Sequence, residues 1–123
     1  MTDLEGVDEL IRAVAAEHIL PRFRRLASHE IQEKSPGNLV TVADVEAERA
    51  LTQELRQRLP GSVVVGEEAV AADPLVLDRL AGEAPVWILD PVDGTMNFTK
   101  SIARFAVIVA LSRRGAVEAG WIH

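Results

Sequence analysis

The chain has no cysteine, which removes disulfides and thiolate metal sites together. Aromatic residues make up only 4% of its 123 residues, so the 48% that are hydrophobic must build an aliphatic core. No basic excess exists either. With a formal net charge of −6, nothing in the chain would displace the counterions of a nucleic-acid backbone. The one basic cluster, Arg22, Arg24 and Arg25, reads as a solvated helix face. The longest apolar run, Phe105 to Leu111, is far too short to span a bilayer, and the acidic start Met1-Thr2-Asp3-Leu4-Glu5 lacks the regions of a signal peptide. These absences exclude nucleic acid and membrane as partners and lead to a cytoplasmic expectation. The length suits one domain, or one lobe of something larger.

What is present divides in two. Ala, Leu, Glu and Arg dominate the first half, Val and Ile the second. Leu4, Val7, Leu10, Ile11, Val14 and Ala15 recur at helical steps, and the pattern resumes at Ile19, Phe23 and Leu26 past a kink or break at Pro21. A polar turn, Lys34-Ser35-Pro36-Gly37-Asn38, follows. Thr41 and Asp44 have the spacing of a capping box, so a second helix should open at Thr41, with Val45, Leu51, Leu55 and Leu59 as its apolar stripe and Pro60-Gly61 as its stop. Strands are expected at Ser62–Gly66 and Val86–Asp90, with a short surface helix at Pro74–Leu80 between them. A short helical or irregular piece should run to Lys100. A hairpin should then join Phe105–Ser112 to Ala116–Ile122 about Arg113-Arg114-Gly115. The alternation of Val117, Ala119 and Trp121 carries a strand to the last residues, which leaves an open sheet edge and suggests a truncated chain.

The densest chemistry lies in Trp87-Ile88-Leu89-Asp90-Pro91-Val92-Asp93-Gly94-Thr95. An apolar strand stops at two aspartates three apart, and Val63-Val64-Val65-Gly66 stops at Glu67-Glu68 in the same way. Taken alone, Asp90-Pro91 could simply end a strand and Asp93-Gly94 form an ordinary turn. Three carboxylates at buried strand ends repel one another unless a cation joins them, and oxygen ligands at rigid strand ends suit a hard divalent cation. Glu67 is the better ligand candidate, with Glu68 in support. Thr95 is either a plain helix cap or a hydroxyl that orients water or binds phosphate, and a helix cap accounts fully for Asp44. Lys34 reads as a solvated lysine, and His18, His29 and His123 share no metal-like spacing. Met96, Trp87 and Trp121 read as packing. A cation beside an anion-binding Gly-Thr points to phosphate chemistry.

Gly66-Glu67-Glu68 followed by Trp87 through Phe98 resembles the inositol monophosphatase family of magnesium-dependent, lithium-sensitive phosphatases. Each fixed position of that family's signature is filled: Trp87, Asp90, Pro91, Asp93, Gly94, Thr95, Asn97 and Phe98. Lys34 to Asp44 resembles a second family segment, with Asn38 where aspartate is usual, and Arg104 stands where many members carry proline. The resemblance implies that Glu67, Asp90, Asp93 and the carbonyl of Val92 bind Mg2+. It implies that Asp93, Gly94 and Thr95 contact the substrate, and that Glu67 and Thr95, with Asp44 nearby, activate the attacking water. It further implies an α+β fold, two N-terminal helices packed on a largely antiparallel sheet, forming the N-terminal lobe (residues 1–123) of a layered α/β/α/β phosphatase. The C-terminal lobe, which supplies a further aspartate ligand, would be absent. The implied activity is hydrolysis of a phosphomonoester, inositol monophosphate first, with a sugar-bisphosphate or 3′-phosphonucleotide as alternatives, in a homodimer. The rival of another class is a truncated, non-catalytic metal-binding or dimerisation module.

Overall fold

The computed structural model describes residues 4–35, 38–100, 102–103 and 105–123, with the side chains of 34, 35, 38 and 96 left aside. Pro36, Gly37 and Arg104 therefore lie outside the described residues, as do the side chains of Lys34, Asn38 and Met96.

The first helix, α1 (Val7–Val14), opens on Gly6, whose φ of 78° a residue with a Cβ rarely adopts. It widens into one π turn over Ala15–Ile19 and tightens into a 3-10 turn at Leu20–Arg22, where Pro21 sits. The expected single helix with a kink is thus a short helix ending in two irregular turns. Proline has no N–H for an α-helical bond, and the ladder gives way around it. Arg22 closes the 3-10 turn and Arg24 and Arg25 lie beyond it, so the arginine cluster is no single helix face. Arg22 donates to the His18 carbonyl at 2.9 Å, and Arg24, at φ 64°, lies over the Phe23 ring.

A hairpin that sequence reading missed comes next, β1 (Ile31–Ser35) with β2 (Asn38–Thr41), antiparallel. β2 runs directly into α2 (Val42–Arg58), capped as expected at Thr41. The buried face of α2 is Ala43, Ala47, Leu51 and Leu55, and Val45, assigned to that stripe from sequence, is 38% exposed.

The main sheet has the order β3 (Val63–Gly66), β4 (Val86–Asp93), β5 (Ala106–Arg113), β6 (Ala116–Ile122). The β3–β4 pair is parallel and the other two are antiparallel, so the sheet is largely antiparallel, as expected. The β3–β4 crossover contains α3 (Glu67–Ala72) and a 3-10 stretch, Pro74–Ala81. After β4 comes α4 (Thr95–Thr99). The β5–β6 loop has positive φ at both Arg114 and Gly115, the geometry that matches strand twist in a two-residue hairpin. Helices α1 and α2 bury Val7, Ile11, Leu51 and Leu55 in one core with Val64, Trp87, Leu89, Val109 and Leu111 of the sheet. Trp87 is fully buried, its Nε1 donating to Ser62 Oγ at 3.2 Å, and its ring lies 6.0 Å from that of Trp121.

Candidate metal and phosphate site

Parallel pairing places Gly66 opposite Leu89. The next residues, Glu67 and Asp90, therefore follow directly on the last pair of the parallel ladder, at the end of β3, a position that commonly gathers ligands. Glu67 opens α3 rather than a loop. β4 itself does not stop at Asp90. It continues through Pro91 to Asp93, with the register against β5 slipping between Asp90 and Asp93. A residue without an N–H is accommodated where the ladder is irregular; on either side of that slip Asp90 is half-buried and Asp93 is exposed.

Asp90 is the electrostatic centre. Its pKa is pushed up from 3.8 to about 8, first by burial, then by the carboxylates of Glu67 and Asp93. Its Oδ1 is buried without a hydrogen-bond partner. A half-buried acid that nothing neutralises gives up its charge. Asp93 is exposed. Among the described residues no three His, Asp or Glu side chains already converge on one point. Glu67 and Asp93 each act on Asp90.

The second half of the site belongs to α2 and α4. Asp44 is 1% exposed and divides its two oxygens between two tasks. Oδ2 accepts from the Thr41 amide at 2.9 Å and from Thr41 Oγ1 at 2.7 Å, closing the capping box. Oδ1 lies 3.0 Å from Thr95 Oγ1, which is also 2.9 Å from the Val92 carbonyl oxygen. Asp44 thus closes the helix cap through one oxygen and meets Thr95 through the other. Burial raises its pKa, the hydrogen bonds from Thr41 and Thr95 lower it, and the Glu67 charge raises it further. A hydroxyl has one proton to give, so Thr95 serves either Asp44 or Val92 at a time. Thr95 is thus the link between the acid on α2 and the carbonyl beside Asp93.

Gly94 makes this link possible. Its φ of 94° turns the chain from β4 into α4 within one residue, and its carbonyl accepts from the Phe98 amide at 3.0 Å. Gly94→Ala is expected to cost about 1–2 kcal/mol through left-handed backbone strain alone, read as a lower urea midpoint with an unchanged slope.

Sequence reading overlooked Glu48. It is buried on α2, one turn beyond Asp44, and its carboxylate accepts from the amides of Glu68 at 2.8 Å and Ala69 at 2.9 Å. Asp44, Ala47, Glu48, Leu51 and Leu55 recur at three- and four-residue steps, so its place on the buried stripe was visible.

The inositol monophosphatase family model matches residues 2–123. The chain belongs to that family. It is 40% identical over 88 residues to an inositol-1-monophosphatase of Mycobacterium leprae, covering 72% of this chain and 30% of the relative. To human inositol monophosphatase 1 it is 32% identical over 91 residues, covering 74% of this chain and 32% of the relative. Among solved structures, the Thermotoga maritima IMPase superposes with a TM-score of 0.79 at 29% identity, covering all of this chain and 44% of that one. The chain therefore spans well under half the length of these inositol monophosphatase relatives. Among its described residues no helix is long and apolar enough to cross a membrane.

Proposed function

We propose that this chain carries the metal- and phosphate-binding part of a Mg2+-dependent phosphomonoesterase acting on inositol monophosphate. The observation that carries the reading is Asp90: a buried carboxylate oxygen without a hydrogen-bond partner, with two further acids acting on the same group. Hard oxygen donors of this kind fit Mg2+. Asp90, Glu67, Asp93 and the Val92 carbonyl would hold it, and that carbonyl can receive Thr95 on one lone pair while offering the other. The chemistry a bound Mg2+ supplies is a lowered water pKa and neutralised charge on the phosphoryl oxygens.

The chain's own groups do the rest. Asp93, Gly94 and Thr95 receive the substrate at the β4–α4 turn. Thr95 Oγ1 orients the attacking water, and its proton passes toward Asp44 Oδ1. Asp44 can accept because burial raises its pKa, while Thr41 holds the other oxygen in place. Glu67 faces the same water from the strand-end side. Family membership supports inositol monophosphate over other phosphate esters. A homodimeric state, a cytoplasmic location and the assignment of residues 1–123 as an N-terminal lobe belong to the same proposal.

The test is phosphate release from inositol monophosphate by the native gene product. Release should require Mg2+ and stop on chelation. Release that continues unchanged in excess chelator would contradict the reading.

A further inference from the structure

The first amides of a helix have no partner inside it and usually bond to the side chain of the residue at the cap. In α3 that residue is Gly66, which has no side chain to offer. The acceptor comes instead from another helix. Glu48 Oε1 takes the Glu68 amide and Oε2 the Ala69 amide. A Cβ placed on Gly66 would lie 2.6 Å from both of those oxygens, closer than real contacts allow. Gly66 has an ordinary extended backbone, φ −108°, so it is the carboxylate that excludes a side chain there.

From this pairing we propose that Glu48 is a positioning residue for the metal ligand Glu67. By gripping the second and third amides of α3, it fixes the first turn of that helix, whose first residue is Glu67. Two hydrogen bonds and the positive end of the helix balance the charge of the buried carboxylate. Asp44 lies one turn earlier on α2, so a single rigid helix sets the distance between the acid serving Thr95 and the grip that places Glu67. α2 is the ruler of the site. The inference rests on the proposed ligand roles of Glu67 and Asp90, and groups that orient a ligand typically change metal affinity by about 10–100-fold when altered.

The test uses Mn2+ alone as probe, titrated by electron paramagnetic resonance into the wild-type chain and into Glu48→Gln, Gly66→Ala and Asp90→Asn, each at a temperature where it is fully folded. Amide hydrogen exchange at Glu68 and Ala69 is followed without metal. Glu48→Gln turns a donor toward one of those amides. Gly66→Ala displaces the carboxylate from the other side, so the two variants reach the same defect independently. Both should speed exchange at Glu68 and Ala69 and weaken Mn2+ binding by about 10–100-fold. Faster exchange with unchanged Mn2+ affinity would overturn the role of Glu48 while leaving the metal site standing. Loss of Mn2+ binding only in proportion to loss of folded protein would overturn it as well. Wild type that binds no Mn2+, or binds it no better than Asp90→Asn does, would bring down the ligand assignment and this inference with it.

Discussion

Asp90→Asn should make the metal-free protein more stable at pH 8.5 and deprive it of all stabilisation by Mg2+. Both effects come from one carboxyl whose pKa is raised to about 8 by burial and by Glu67 and Asp93. A carboxyl with a raised folded pKa holds its proton more tightly in the native state than in the unfolded one. Its contribution to stability is therefore complete below the unfolded value near 4 and is lost as pH climbs through about 8. Wild type should become progressively less stable across that window, and the asparagine variant should lack this part of the slope. Mg2+ reverses the order. It needs the ionised carboxylate, so its affinity for wild type should rise with pH toward and beyond 8. At a concentration one hundred times its dissociation constant it should add about 2.7 kcal/mol to wild-type stability. The variant should gain nothing. Chemical denaturation at several pH values, with and without Mg2+, reads both effects. A variant that is stabilised by Mg2+ as wild type is would remove Asp90 from the site.

Asp44→Asn should slow phosphate release by about 100- to 10,000-fold, the range typical of a lost general base, while hardly changing the melting temperature. The two oxygens of Asp44 explain the split. An asparagine can still present its carbonyl oxygen to the Thr41 amide and hydroxyl, which keeps the cap of α2. Its amide then faces Thr95 Oγ1 as a donor, so the threonine proton has only the Val92 carbonyl to go to. Thr95→Ala should cost a similar factor by removing the hydroxyl itself. On the proposed single proton path, the double variant should be little worse than either single one. Single-turnover rates at saturating Mg2+ measure this directly. Strictly multiplicative losses would mean that Asp44 and Thr95 act separately.

These expectations rest on residues that differ widely in how readable they were from sequence. The Thr41–Asp44 cap, the apolar run into Asp90 and the Gly94 turn are local, and each announces itself within a few positions. Asp90 meets Glu67 through strand pairing, which a run of valines beside Gly66 suggests but does not fix. The β1–β2 hairpin escaped notice because Gln32, Glu33 and Lys34 give it a polar composition with little alternation. The helix α3 escaped for another reason. It is six residues long and its cap lies on α2, twenty residues upstream at Glu48. β4 was read as ending at Asp90 because proline usually stops a strand; the register slip that lets it continue depends on β5. The contact of Asp44 with Thr95, 51 positions distant, is likewise set by packing; the resemblance implied their proximity, but the local pattern of residues showed only the cap. Apart from that local hairpin, what sequence concealed is what non-local contacts created.

The measurement that bears most directly on the metal site is the anomalous scattering of Mn2+ in crystals of this protein soaked with the ion. The expected result is a peak about 2.1 Å from Asp90 Oδ1, the distance Mg2+-type coordination demands, with Glu67, Asp93 and the Val92 carbonyl around it. A peak elsewhere, with Asp90 Oδ1 still lacking a partner, would contradict the site proposed here.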